Sequence, residues 1–340
     1  MLSYTIRRLL LMVPVFFGIT VMIWGIVTFN PNGGAVAAYL GNAHNRLPVT
    51  AAQIHSIEIR LGLDKPLPVR YAIWVGNLFR GDLGNSISEH TTAVKAIQNR
   101  TVPTLILMVT AFTLQELLAI PLGIFSALRR GSLFDQIFTV IVYILYSIPT
   151  FWFGLMAIVI FGVALRWFPF PGMVNTSLAG DDFGTPTYWA FFHAHTVTAV
   201  VDLLQHLAMP ALVLAAVGIA GDSRFMRGQM LEVLNQDYVR TAKAKGLPQR
   251  TVVWKHALRN AVLPIITNIG LTLPGLIGGA VVTEQIFGWP GMGRLYIQAA
   301  GAFDYAVIIG IIVIGAMLTL VFNLLTDLSY ALVDPRIRYS

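Results

Sequence analysis

The chain has 340 residues, of which 56% are hydrophobic and only 11% are charged. So little polar surface cannot solvate a globular domain of this size, so lipid must replace water over much of the surface. The formal net charge of +7 in so apolar a chain is better explained by basic residues facing anionic lipid than by nucleic acid binding. The absence of cysteine excludes disulfides, thiolate metal sites and a cysteine nucleophile.

Six apolar runs have the length, or nearly the length, needed to cross about 30 Å of hydrocarbon as helices. They lie at residues 9–27, 102–128, 137–165, 207–220, 261–282 and 306–325. The first run is longer than the apolar core of a signal peptide, so we interpret it as a span although residues 35–37 have the form of a cleavage site. The fourth run is short, so its helix must begin near Val200 or continue past Asp222. The pattern predicts an all-α polytopic membrane protein with six transmembrane helices.

Basic residues indicate the orientation of these spans. Lysine and arginine are concentrated at both termini and in the second and fourth connections, whereas the short opposite connections contain only Arg166 and Arg294. This bias predicts that both termini are cytoplasmic. The long segment at residues 30–100 is predicted to be a small external subdomain, between an N-terminal helix at residues 1–29 and a five-helix core at residues 101–340.

The fourth connection, residues 224–259, is basic and has a helical pattern. From Asp237 to Ala244, alanine and apolar residues recur at helical spacing, and the following Gly246 is typical of a left-handed C-terminal turn. Small residues would let this helix enter a groove on a partner, with basic side chains at the rim. A basic helix lying on anionic lipid headgroups is the alternative.

Polar residues within the spans are candidates for a translocation pathway. Glu116 is the only clear carboxylate in the predicted spans, and at that depth it costs several kcal/mol unless it is paired or protonated. The fifth span presents a polar stripe of Thr267, Asn268 and Thr272. For these residues a pathway role and ordinary interhelical hydrogen bonding both stay open.

Two stretches carry a family resemblance. Residues 238–247 have the sequence YVRTAKAKGL, and residues 256–264 have the sequence HALRNAVLP. They resemble the EAA loop of binding-protein-dependent importer permeases, in its dipeptide and oligopeptide version. Motifs at 61–66, 81–84, 147–152, 284–294 and 334–338 extend the resemblance to the first of two permease subunits over nearly the whole chain. The chain departs from relatives at residues 30–34, which replace a Pro-Gly-Asp-Pro turn, and at residues 240–241, which replace Glu-Ala of the broad motif.

The resemblance implies roles for three groups of residues beside the pathway candidates. Contacts with an ATPase would be made by Tyr238, Arg240, Thr241, Ala242, Lys243, Ala244, Lys245, Gly246 and Leu247. Movement would reach the fifth helix through Arg259, Asn260, Leu263 and Pro264. An external gate would contain Glu284, Trp289, Pro290 and Gly291.

The resemblance also implies partners and a location. The partners would be a second, non-identical permease subunit, two ATP-binding subunits, an extracytoplasmic substrate-binding protein and lipid, in a bacterial inner membrane. The sequence lacks a phosphate-binding GxxxxGK[ST] loop, so ATP and magnesium would be bound by the ATPase subunits and this chain would hold no cofactor and no catalytic residue. Peptides are the favoured solute class, with nickel, glutathione and oligosaccharides as alternatives.

Two other functions and a metal site are disfavoured. An intramembrane aspartyl protease could use Asp222 and Asp327, but residues 218–222 lack the Gly-x-Gly-Asp spacing. A secondary transporter should show inverted repeats and paired charges within its spans. Asp181, Asp182, His193 and His195 lie in one connection, but His-x-His alone fixes no coordination geometry, so we favour a solvated loop without a metal.

Overall fold

The computed structural model describes residues 2–29 and 64–333, without the side chains at positions 2–4, 263, 267, 271–279 and 327–333. This part of the chain contains no β-strand and only one isolated bridge, between Asn85 and Thr92. The α-helices in chain order are α1 (Leu2–Thr28), α2 (Leu67–Phe79), α3 (Ala93–Leu128), α4 (Leu133–Ser147), α5 (Thr150–Ala157), α6 (Thr176–Ala179), α7 (Pro186–Ala194), α8 (Thr196–Leu234), α9 (Asp237–Ala244), α10 (Gln249–Thr251), α11 (Leu258–Ala261), α12 (Leu263–Phe287), α13 (Met292–Gly301) and α14 (Tyr305–Val333). The predicted all-α class is confirmed. The motifs and turns predicted within residues 30–63 and 334–340 lie outside the described residues.

Four of the described helices are long and apolar enough to cross a membrane: Thr5–Thr28 in α1, Ala93–Leu128, Thr196–Leu234 and Tyr305–Thr326. The bent pair formed by α4 and α5, with the π-helical continuation of α5 to Ala164, would be a fifth. Helix α12 covers most of the fifth predicted run, and its side chains at positions 271–279 lie outside the description. The count of six spans therefore stays a prediction, whereas a protein with several membrane-spanning helices agrees with the structure.

The third predicted span is not one continuous helix. Helices α4 and α5 meet at an angle of 102°. The break falls at Ile148, whose backbone is extended (φ −79°, ψ 126°), because the ring of the following Pro149 disfavours helical geometry in the preceding residue. The segment at residues 137–165 is therefore a bent pair of helices and not the one straight helix that the sequence predicts.

Helix α8 is much longer than the apolar run from which it was predicted. It begins at Thr196 and ends at Leu234, so it extends beyond residues 207–220 at both ends. The first part of the predicted basic connection, residues 224–234, thus forms the end of α8. The helix also carries two buried carboxylates, Asp202 and Asp222, one on each side of the predicted apolar run.

The chain divides into two compact units, of which the first contains the described residues of Met1–Val102 and Gly291–Leu324. Its core joins the start of α3 to α13 and α14, with Ile97, Leu295 and Val307 buried together. The predicted boundary between an external subdomain and the helical core, at residue 100, falls inside α3, which begins at Ala93.

The second unit contains Pro103–Pro290 and the described residues from Leu325 onward. One of its cores packs Leu107, Tyr188 and Trp289 against residues of α8. Helices α3 and α8 approach closely at Gly123, where an added Cβ would lie 2.7 Å from the Cβ of Met226. The small residue thus allows two long helices to pack side by side.

Asp304, which precedes α14, ties the segment after α2 to the start of α14. Its Oδ2 atom accepts hydrogen bonds from the Ser86 and Ser88 hydroxyls at 2.6 and 2.8 Å, and from the Ile87 and Ser88 amides at 2.9 and 3.0 Å. Burial raises the pKa of this carboxyl, but these hydrogen bonds outweigh burial and hold the pKa below its usual value. The ionised form is therefore the one that the fold stabilises.

We expect Asp304→Asn to lower the unfolding temperature at pH 7, because asparagine brings no charge to these four donors. Since the pKa is lowered by folding, the contribution of Asp304 is complete above the unfolded value of about 4 and is lost as the pH falls below it. Thermal unfolding in detergent from pH 7 to pH 3 should show that the difference in unfolding temperature between the unmutated protein and Asp304→Asn becomes smaller. A difference in unfolding temperature that stays constant over this range would contradict a role for the charge of Asp304. Asp181→Asn, at an exposed position, is the control.

Candidate functional site

The short helix α9 lies in the basic connection and is held to the protein by one face. Val239 and Ala242 are buried on that face and pack with Val252, beside Val233 and Leu234. Most of its other side chains are exposed, which gives α9 a strongly amphipathic pattern. The helix is thus anchored from behind and presents its outer face to solvent or to a partner.

A left-handed turn ends α9, as the sequence predicts. Gly246 has φ +76°, and its amide donates to the Lys243 carbonyl at 2.9 Å. The Leu247 amide reaches back to the Ala242 carbonyl at 3.4 Å. These bonds have the pattern of a glycine-ended helix, in which the glycine adopts a conformation that is strained for other residues.

The structure brings the predicted ATPase-coupling residues onto one exposed surface, with one exception. The exposed residues are Tyr238, Arg240, Thr241, Lys243, Ala244, Lys245, Gly246 and Leu247, which we call the α9 surface. Ala242 lies on the buried face, so it positions α9 instead of contacting a partner. The ion pair of Arg240 with Asp237, at 3.7 Å, is largely exposed and contributes little to stability. The Arg240 side chain can therefore contact a partner at little cost.

The α9 surface is linked to the start of α12. The Asn260 side-chain amide, on α11, donates to the Tyr238 hydroxyl at 2.8 Å. Between them the chain passes through a π-helical segment, Val252–Ala257, a geometry that is rare and often found at functional hinges. Arg259 is exposed and Pro264 lies in the first turn of α12, while the side chain of Leu263 lies outside the description.

We expect Tyr238→Phe to reduce transport about fivefold, since it removes one hydrogen bond worth about 1 kcal/mol between α9 and α11. Asn260→Ala should have the same effect, and the double variant should be no worse than either single variant. Solute uptake by cells with equal amounts of each variant in the membrane measures this. Additive losses in the double variant would contradict a role for the contact.

A buried polar cluster lies where α3, α8 and α12 meet. Asp222 of α8 accepts hydrogen bonds from the side-chain amides of Gln115 at 2.5 Å and Asn268 at 2.8 Å. The Gln115 amide also lies 3.3 Å from Oε1 of Glu116, so two carboxyl groups share one donor. Three helices are thereby joined through polar side chains in an apolar surrounding, where such bonds are costly to leave unmade.

This polar cluster contains two of the four predicted pathway residues, Glu116 and Asn268. The side chains of the other two, Thr267 and Thr272, lie outside the description. Sequence reasoning missed the central position of Asp222, which it considered only as a protease candidate together with Asp327. Its signal was a carboxylate just beyond an apolar run, at a place where the helix had to continue.

A second charged cluster ties the first turn of α4 to α8. Arg227 binds both oxygens of Asp135, through Nε at 2.8 Å and Nη2 at 2.9 Å. Asp135 also accepts from the Ser126 hydroxyl and from the Gly131 amide. A bidentate arginine–carboxylate pair with additional donors is geometrically demanding, so it fixes the rotation of α8 relative to α4.

The predicted gate residues lie inside the protein. Glu284 is fully buried and accepts from the Thr104 hydroxyl at 2.7 Å, while the Trp289 indole donates to the Pro103 carbonyl at 2.9 Å. Helix α12 ends at Phe287, and Gly288 adopts φ +63°, in agreement with the predicted break after the fifth span. In this conformation neither Glu284 nor Trp289 is accessible to a receptor, whereas Pro290 is partly exposed and Gly291 is buried.

Within the described residues, no three histidine, cysteine, aspartate or glutamate side chains are grouped so that they could hold a metal ion. His193 and His195 instead contact aromatic neighbours, Phe192 and Phe191. The candidate site therefore consists of the α9 surface, its link to α12 and the buried cluster around Asp222.

Comparison with known proteins decides the family. The family model described as "Binding-protein-dependent transport system inner membrane component" matches residues 119–339, which include α9, α12 and Asp222. The chain belongs to this family. The same residues carry the resemblance found in the sequence, so that prediction is confirmed.

Several relatives match over the full length. The oligopeptide transport system permease protein AppB of Bacillus subtilis is 40% identical, with all of both chains covered. The dipeptide transport system permease protein DppB of Escherichia coli K12 is 37% identical, covering 100% of this chain and 99% of that protein. A chain of the MetNI methionine ABC transporter, solved in inward-facing conformations, has a TM-score of 0.52 at 16% identity and covers 70% of this chain and 96% of that one. The structural match supports the fold of a transporter membrane subunit.

Proposed function

We propose that this chain is one permease subunit of an ATP-driven importer for dipeptides or oligopeptides, and that it forms half of the translocation pathway. The full-length similarity to peptide permeases is the observation that carries the proposal. Nickel, glutathione and oligosaccharides are alternative solutes for the same machinery. In this arrangement a second, non-identical permease completes the pathway, and an extracytoplasmic substrate-binding protein delivers the solute.

ATP and magnesium would be bound by two ATPase subunits that contact the α9 surface. The exposed basic side chains of Arg240, Lys243 and Lys245 suit the polar rim of such a contact. The buried face of α9 is packed against the rest of the chain, so movement of an ATPase against α9 would be transmitted to the permease. The chain itself would perform no catalysis. Both termini would be cytoplasmic, on the same side of the bacterial inner membrane as the α9 surface.

Coupling would run from α9 to the pathway through α12. When ATP binding draws the ATPases together, α9 moves, and the contact of Tyr238 with Asn260 transmits the movement to α11. Helix α12 then tilts and changes its contact with Asp222 through Asn268. Because ATP binds only the ATPases, the chain must act as a two-state element whose preferred state depends on their separation.

Purification of the chain from its native membrane in mild detergent tests this proposal. We expect a second permease and ATP-hydrolysing subunits in stoichiometric amounts. A variant with Arg240, Lys243 and Lys245 changed to alanine should keep the second permease and lose the ATPases, because the three side chains lie on the α9 surface only. Recovery of the unmutated chain alone, or as a homo-oligomer without ATPase, would contradict the proposal and favour a lipid-binding role for α9.

A further inference from the structure

Helix α2 lies in the segment predicted to be external, yet it carries apolar residues on two opposite faces, with Arg70 and Asn77 on one side between them. Its inner face carries Tyr71, Trp74, Val75 and Leu78. Trp74 and Leu78 pack beside Ile23 of α1 and Val313 of α14. On the opposite face Val69 and Ile73 are 45% and 43% exposed, and Phe79, at the end of the helix, is 67% exposed. An apolar outer face of this kind is stable against protein or lipid, and not against water.

The contacts with α1 show how far α2 extends along that span. Near its start, the Tyr71 hydroxyl lies 2.8 Å from that of Thr20, and its ring contacts Trp24 at 5.6 Å. At its end, the Phe79 ring contacts the rings of Phe16 and Phe17 at 6.1 and 6.4 Å. Helix α2 therefore runs antiparallel to α1, from the Thr28 end toward the middle.

The depth of Phe79 follows from helix geometry. Phe16 and Phe17 lie midway along the span Thr5–Thr28, which at about 1.5 Å per residue places them about 17 Å from Thr28. Half the hydrocarbon thickness of a bilayer is about 15 Å. If α1 crosses the membrane, the end of α2 lies close to the midplane of the bilayer.

The chain returns from this depth along α14. Leu83 packs where a Cβ on Gly310 would lie 2.8 Å from its side chain, and Gly310 is about 8 Å along the helix from Tyr305. Residues 86–88 then bind Asp304 at the start of the α14 span. The segment thus enters beside the Thr28 end of α1, turns at residues 80–82 and leaves where α14 begins.

We propose that α2 is a re-entrant membrane helix whose outer face, from Val69 to Phe79, lies among lipid acyl chains. A cavity of about 510 Å³ lies on this face between Pro68 and Arg80, and on α1 Val21 and Met22 are also exposed. The turn after α2 carries exposed Arg80 and Asp82, and charges at this depth cost several kcal/mol against lipid. The turn therefore opens into a hydrated cleft within the membrane.

Spin labels on single cysteines test this placement, because the chain has no cysteine of its own. Val69→Cys, Ile73→Cys and Phe79→Cys would be labelled in the full chain, reconstituted in lipid bilayers with the subunits that purify with it. Power-saturation EPR with oxygen, which partitions into lipid, and with a nickel chelate, which stays in water, measures exposure and depth. Met22→Cys supplies the lipid reference, and Ser177→Cys, at an exposed position in α6, supplies the water reference.

The expected result is high oxygen and low nickel exposure at all three positions, as at Met22, with depth increasing from Val69 to Phe79. Nickel exposure similar to that of Ser177 would place α2 in water and overturn the proposal. Exclusion of both reagents would mean that another protein covers this face, and would overturn it as well. Arg80→Cys should be several-fold more exposed to the nickel chelate than Phe79→Cys; equal exposure would contradict the hydrated turn.

Discussion

Gly246→Asp is expected to abolish transport while leaving solute binding by the receptor intact. Gly246 ends α9 at φ +76°, and a residue with a Cβ is strained there by about 1–3 kcal/mol. The new carboxylate would also lie between two basic side chains of the α9 surface, Lys243 and Lys245. The substitution therefore alters both the turn that ends α9 and the charge of the α9 surface that would contact an ATPase. We expect uptake to fall at least about tenfold.

Gly184→Asp is the matched control for this variant. Gly184 has φ +89°, and like Gly246 it has no atom within 4 Å of an added Cβ, so the backbone strain is comparable. It lies between α6 and α7, away from the α9 surface in the sequence. Uptake of radiolabelled peptide by cells, corrected for the amount of each variant in the membrane, should be lost only for Gly246→Asp. Normal uptake by Gly246→Asp would contradict the role of the α9 surface.

Asp222→Ala is expected to destabilise the protein and to stop transport. The substitution removes the acceptor for the side-chain amides of Gln115 and Asn268. The buried Gln115 amide then keeps only the longer hydrogen bond to Glu116, at 3.3 Å. Removing the acceptor of two side-chain donors, one of them buried, costs about 3 kcal/mol. The free energy of unfolding should fall by that amount, and the unfolding temperature in detergent by several degrees.

Two further variants separate stability from pathway function. Asp181→Ala removes an exposed carboxylate and should change neither property. Glu116→Gln keeps Gln115 and Asn268 as donors to Asp222 and replaces the second carboxyl group by an amide of similar size, so any loss of uptake in a stable Glu116→Gln protein would be a pathway effect. An Asp222→Ala protein with unchanged unfolding temperature and uptake would show that the cluster joins the helices without contributing to either.

The parts of the fold that sequence could predict have a local cause. Helix α9 and its turn follow from the spacing of Val239 and Ala242 and from a glycine after the last helical residue, and the structure contains both. The bend between α4 and α5 has a local cause as well, because Pro149 restricts Ile148. It was missed because an apolar run of suitable length was interpreted as a single straight span.

The polar clusters could not be predicted in the same way. Asp135 and Arg227 are 92 positions apart, and Gln115 and Asp222 are 107 apart. Their pairing depends on how α3, α4 and α8 are rotated about their axes, and close approaches such as those at Gly123 and Gly218 fix the rotation of α3 and α8. Hydropathy gives the existence of a span but not its rotation. For the same reason the burial of Trp289 and Glu284 was not foreseen.

The predicted role of α9 as an ATPase contact came from the family resemblance and not from the local sequence pattern. The motif around Gly246 suggests an ATPase contact only because similar loops occur in importer permeases; geometry alone allows a lipid-binding helix. The structure adds the link between Tyr238 and Asn260, which gives the α9 surface a physical route to α12.

The most direct test of the account is whether transport is driven by ATP. The complex that purifies with this chain would be reconstituted into liposomes, with ATP supplied on the side of the α9 surface and a labelled tripeptide with its receptor on the other. The account predicts accumulation of peptide that requires ATP hydrolysis and is unaffected when ion gradients are dissipated. Accumulation that needs an ion gradient and proceeds without ATP would contradict it and identify a secondary transporter.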